Sequence, residues 1–147
     1  YVKTGEAKII YRDFAFLGPE SVSDAEAAEC ARDQNKYWQY HDALYETEYA
    51  EVEKVLKGEM PTNEGNGNLN ADLFKEIASN LKMNVDEFLS CFDSRKYKEE
   101  VEKDAQEANE AMGERISTPA SFINGEIIQG AYPYEIFSQA LDEALNN

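Results

Sequence analysis

Most of the chain repeats apolar residues every third or fourth position, the spacing of helices that bury one face. One stretch breaks that rhythm. Ala120 to Ile123 and Glu126 to Gln129 are two short apolar runs separated only by Asn124-Gly125, a pair able to accept φ > 0 at both centres of a type I′ turn. The pattern predicts a β-hairpin with Phe122 opposite Ile127 on one face and Ser121 opposite Ile128 on the other. Both faces carry apolar bulk, which predicts a sheet covered on both sides. Pro119 heads the first strand, where a missing N–H is tolerated.

The rest of the chain divides in order. Tyr1 to Glu6 reads as a last helical turn stopped at Gly5, and Lys8 to Phe14, rich in β-branched and aromatic residues, as a strand. Pro19 is expected to end regular structure, and Ser23 with Glu26 to form a capping box opening a helix over about 24–33. Lys36 to Lys57 predicts a long helix packing through Tyr37, Tyr40 or His41, Leu44, Tyr45 and Val52. Gly58 to Asn70, with Pro61, two glycines and several asparagines, is a polar, exposed loop. Asn70 caps a helix using Leu73, Ile77 and Leu81, and Asn84 caps another using Val85, Phe88, Leu89 and Phe92. Ser94 opens a third, to about Met112, with a stripe of Tyr97, Val101, Ala105, Ala108 and Met112 before Gly113. Pro133 precedes a final helix whose Ile136, Phe137, Ala140, Leu141 and Leu145 face inward. The predicted order is strand, several helices, two strands, helix.

Composition narrows the functional classes. A chain of 147 residues, 42% hydrophobic and 12% aromatic, suits one domain with its own core and excludes disorder. A net charge of −16 argues against nucleic acid and anionic membrane surfaces as partners. No apolar run approaches the roughly 20 residues that cross a bilayer. The first residue is Tyr rather than Met, and no signal peptide precedes it, which sets the expectation that the start of the first helix lies upstream. His41 is the single histidine, with no second His or Cys near it in sequence, so it reads as a packed helix residue rather than a metal ligand. Trp38 reads as core or groove wall. Glu99, Glu100, Glu102 and Asp104, interleaved with lysines, read as a solvated helix face. Cys30 and Cys91, both beside apolar neighbours on separate predicted helices, fit either two buried thiols or a structural bridge.

Several stretches together resemble the DsbA-like thiol-disulfide oxidoreductases. They are Tyr11-Arg12-Asp13-Phe14, Ala27-Ala28-Glu29-Cys30-Ala31, Tyr37-Trp38-Gln39-Tyr40-His41-Asp42-Ala43-Leu44, Cys91 to Tyr97 and Ser117 to Gly125. The resemblance implies an α/β, thioredoxin-like fold with an inserted helical block. Residues 1–19 and 116–147 would form the thioredoxin-like part and 20–115 the insertion. It also implies a cis bond before Pro119 and a substrate-binding role for Thr118 and Pro119 beside a redox dithiol. Some family members carry a second, non-catalytic bridge, which would here join Cys30 to Cys91. Family members begin with a strand and a Cys-x-x-Cys at a helix N-terminus, where the helix dipole stabilises the thiolate. This sequence contains neither, so the resemblance implies an N-terminally truncated domain, inactive alone, whose dithiol lies upstream. The implied partners are protein or peptide thiols in an extracytoplasmic compartment, with no cofactor beyond cysteine redox. Losing a central strand would leave open sheet edges, which either a segment outside this sequence, a strand-swapped or edge-paired homodimer, or a monomeric closing-up of the flanking strands would satisfy. A redox-inactive module of the same fold that binds a peptide or a partner subunit is the rival reading.

Overall fold

The computed structural model describes residues 1–60, 65–113 and 117–146. Residues 61–64 of the predicted loop lie outside the described residues, as does Ile116 at the expected start of the hairpin segment. The chain divides into two compact units, one made of Tyr1–Arg12 and Asn109–Asn147, the other of Asp13–Ala108.

The larger unit is helical, with α1 (Pro19–Arg32), α2 (Tyr37–Leu56), α3 (Ala71–Asn80), α4 (Val85–Asp93) and most of α5 (Lys98–Met112). α1 packs on α2 and α4, and α3 packs on both α2 and α4. Their shared core holds Ala27, Ala28, Ala31, Tyr40, Leu44, Phe74, Phe88 and Tyr97. Small residues on α1 let the neighbouring helices approach closely, while the Tyr40, Phe74 and Phe88 rings fill the space between them. The Tyr40 hydroxyl, fully buried, donates to the Phe74 carbonyl at 3.0 Å.

Both asparagine caps form as expected. The Asn70 side chain accepts from the Asp72 and Leu73 amides, and that of Asn84 from Glu87. The predicted start of α1 is wrong. Pro19 occupies the first helical turn behind Gly18, where its missing N–H costs nothing, so the helix begins five residues before Asp24. The capping box is absent: Ser23 Oγ donates back to the Pro19 carbonyl at 3.0 Å, and Glu26 bonds Arg95. α5 also starts later than Ser94, because Arg95 takes φ of 52° and breaks the helical run. α1 to α4 all end alike, in Schellman pairs of hydrogen bonds centred on Asn35, Gly58, Lys82 and Arg95.

In the smaller unit, β1 (Ala120–Ile123) and β2 (Glu126–Gln129) form an antiparallel hairpin. Phe122 faces Ile127 and Ser121 faces Ile128, the predicted register. Asn124 and Gly125 take φ of 49° and 96°. α6 (Tyr134–Asn146) packs against β1. Ser121, Ile123 and Ile128 are half-buried, whereas Phe122 is 49% exposed. The expected double cover is therefore missing on the Phe122 and Ile127 face. Ile136 and Leu145 of α6 also stay exposed, leaving Phe137, Ala140 and Leu141 as its packing residues. Tyr1 to Ala7 forms a Schellman turn at Gly5, and the Tyr1 hydroxyl donates to Asp142 at 2.6 Å.

The predicted strand over Lys8 to Phe14 does not form. Its backbone lacks regular structure, Ile9 and Ile10 are exposed, and the sheet has two strands among the described residues. A β-favouring composition makes a strand only when another strand satisfies its N–H and C=O groups.

Candidate functional site

The entry to β1 is an exposed piece of backbone that the sequence singled out. Thr118 and Pro119 are both exposed, and the peptide bond between them is cis. The Gly130 amide donates to the Pro119 carbonyl at 2.8 Å, fastening the start of β1 to the end of β2. Among the described residues none hydrogen-bonds Thr118. Among the described residues β1 pairs with β2 alone, so its other edge carries backbone donors and acceptors that an extended chain can match by strand addition.

The cysteines are far from that geometry in kind. Cys30 on α1 and Cys91 on α4 form a disulfide with Cα atoms 5.8 Å apart, and both residues are buried. Exchange requires a thiolate to reach one of the sulfurs. Burial denies that approach, so this bridge holds α1 to α4. The contacts around it serve the same junction. Arg95 forks onto buried Glu26 at 3.1 and 2.5 Å, Lys96 reaches Asp33 at 2.7 Å, and the Tyr97 hydroxyl donates to Asp33 at 2.6 Å.

The helical unit also contains buried carboxyl groups that the sequence did not reveal. Asp13 accepts from the Tyr37 hydroxyl at 3.2 Å. Burial, helped by the charge of Asp104, pushes its pKa up to about 6 against the pull of Tyr37, His41 and Arg32. Glu29 lies 2.7 Å from Arg32, yet burial and the charges of Asp13, Glu100 and Asp104 raise it to about 7. Arg32 is shared, since its guanidinium also forks onto Glu100 at 3.0 Å for both bonds. Asp24 is raised to about 8 by burial and then by Glu20 and Glu48, and its Oδ1 has no hydrogen-bond partner among the described residues. Glu20 and Glu48 in turn fasten the loop before α3, accepting from the Leu69 amide and the Asn68 side chain at 3.0 and 2.8 Å.

Asp104 is buried, which corrects the solvated-face reading at that position. The legible signal was the placement of Glu26 and Glu29 inside the run Ala25 to Ala31, where a helix turn of alanines advertises a packed face. His41 sits beside Asp42, 3.1 Å from its Oδ1, with its ring against Tyr45 and Trp38. Trp38 is half-exposed, so it is not core. Among the described residues no three His, Cys, Asp or Glu side chains are grouped to hold a metal ion, and no helix is long and apolar enough to cross a membrane.

A family model described as thioredoxin matches residues 1–143. The chain belongs to the thioredoxin family. Its helices with a two-stranded hairpin are consistent with a thioredoxin-like α/β fold, and its relatives place it with the DsbA-like members. A probable disulfide bond formation protein D of Bacillus anthracis is 25% identical over 148 residues, covering 99% of this chain and 61% of that protein. One of the same description from Bacillus cereus is 23% identical over 149 residues, again covering 99% and 61%. The chain thus spans about three fifths of the length of these curated relatives. No solved structure matches it at a comparable level of significance.

Proposed function

We propose that residues 1–147 are the substrate-handling part of a DsbA-like thiol-disulfide oxidoreductase acting on protein or peptide thiols outside the cytoplasm. The observation that carries this reading is the similarity, along 99% of the chain, to two proteins named for disulfide bond formation. The Cys30–Cys91 bridge supports the compartment, because such bonds persist where the surroundings are oxidising. In this reading residues 1–19 and 116–147 form the thioredoxin-like part, and 20–115 the helical insertion.

Thr118 and Pro119 contact substrate in this reading, the exposed backbone before the proline aligning an extended chain. The exchanging dithiol is a Cys-x-x-Cys outside these 147 residues, whose two cysteines are already bonded to each other. A substrate thiolate attacks one sulfur of the oxidised motif, forming a mixed disulfide and releasing the motif's other cysteine as thiolate. A second substrate thiolate then attacks the mixed disulfide. The substrate leaves oxidised, and the motif keeps the two electrons as a dithiol. The open β1 edge is also where a second copy would add a strand.

The test compares oxidation of a reduced dithiol peptide by the full-length protein and by residues 1–147. The full-length protein is expected to turn over and the 147 residues to give background. Thr118→Arg in the full-length protein should slow exchange about tenfold, the loss of roughly 1.4 kcal/mol of transition-state binding, with unchanged circular dichroism. Full turnover by residues 1–147, or none by the full-length protein, would contradict the proposal.

A further inference from the structure

α2 is apolar on two opposite sides. Tyr40 and Leu44 face the core, yet Tyr45, Tyr49 and Leu56 are 62%, 67% and 82% exposed. Trp38 and the half-buried Val52 lie on the same outward line. Trp38, Tyr45, Tyr49 and Leu56 are spaced by seven, four and seven residues, which at 3.6 residues per turn places them within an arc of about 40°. The line runs roughly 27 Å along the helix at 1.5 Å per residue. Singly scattered apolar residues are ordinary on a surface, but a row of large apolar side chains along one face of a helix is not. Packing the core needs only one face of α2.

Charge identifies the occupant. Asp42, Glu46 and Glu53, all exposed, border the line along one side at helical spacing. Glu53 has Lys57 near it at 3.5 Å, Asp42 has the His41 ring at 3.1 Å, and no Lys or Arg occupies the stretch from residue 37 to residue 53. A second copy docking here would set this acidic border against its like on a chain of net charge −16. An anionic membrane surface is repelled for the same reason. A helix with an apolar spine and flanking Lys or Arg satisfies both features, its cations meeting the carboxylates and the faces of the tyrosine rings. Aromatic side chains are also the type that dominates binding energy at such centres. We propose that the outward line of α2 docks a basic amphipathic helix of a protein partner, a role separate from disulfide exchange.

The probe is an 18-residue Leu/Lys peptide with leucines at alternating three- and four-residue spacing, titrated against the protein beside its Leu/Glu counterpart. The Leu/Lys peptide is expected to bind and the Leu/Glu peptide not. Tyr49→Ser with Leu56→Ser should weaken binding at least about tenfold while leaving the circular dichroism unchanged. Glu46→Lys with Glu53→Lys, which keeps the apolar line, should reverse the preference toward the Leu/Glu peptide. Equal binding of the Leu/Lys peptide to the Tyr49→Ser, Leu56→Ser variant would reduce the effect to diffuse attraction and overturn the proposal. So would absence of binding, a dimer in sedimentation that this variant abolishes, or capture of the protein by phosphatidylcholine vesicles.

Discussion

Asp24 shows how one residue sets a pH response for the whole chain. Its carboxyl is largely desolvated, faces Glu20 and Glu48, and keeps its proton to about pH 8 instead of 3.8. Between those values the folded chain holds a proton that the unfolded chain has released, so stability falls as pH rises. Asp13 and Glu29 add the same sign up to about pH 6 and 7. Melting should therefore occur at higher temperature at pH 5 than at pH 8. Asp24→Asn, which removes the titration but keeps the shape, should narrow that difference by stabilising the chain at pH 8. Thermal melts of both proteins at the two pH values check this, and an unchanged difference in Asp24→Asn would show that the carboxyl does not titrate as described. Only Glu29, set within the alanine run of α1, carried a signal of burial in the sequence; Asp13 and Asp24 did not, because a carboxylate looks solvated until the neighbouring elements close over it.

Among the elements, α1 is the one most heavily fastened. The bridge from Cys30 to Cys91 closes a 61-residue separation, worth roughly 4 kcal/mol in the chain-entropy account. Cys30→Ala with Cys91→Ala should lower unfolding free energy by about that amount, read as a fall in the urea midpoint. A loss below about 1 kcal/mol would mean that the Glu26–Arg95 and Asp33–Lys96 contacts hold the junction unaided. The hairpin and the caps at Asn70 and Asn84 were legible because each is a local rule, a turn pair or a side chain reaching its own backbone. The start of α1 was misread because Pro19 both breaks and begins helices, and the sequence alone does not say which. Lys8 to Phe14 was misread for a deeper reason: strand formation depends on a neighbour, and propensity says nothing about whether one is present. α2 was half legible. Its period was right, but Tyr45 and Val52 share that period with an outward line rather than with Tyr40 and Leu44.

At the scale of the molecule, the thioredoxin family supplies a frame for two features with different chemistry. The exposed Thr118-Pro119 entry is open backbone, whereas the two cysteine sulfurs are sealed in a junction between helices. In the proposed reading these roles stay apart, with Cys30 and Cys91 structural and the exchanging sulfurs elsewhere in the full-length protein. A disulfide exchanges quickly only where a thiolate can reach it, and the Cys30–Cys91 bridge is buried. The most direct measurement is to trap the mixed disulfide between the full-length protein and a single-thiol peptide, and to map the bonded cysteine by mass spectrometry. The account predicts an adduct on a Cys-x-x-Cys sulfur outside residues 1–147, with Cys30 still joined to Cys91; an adduct on Cys30 or Cys91 would contradict it.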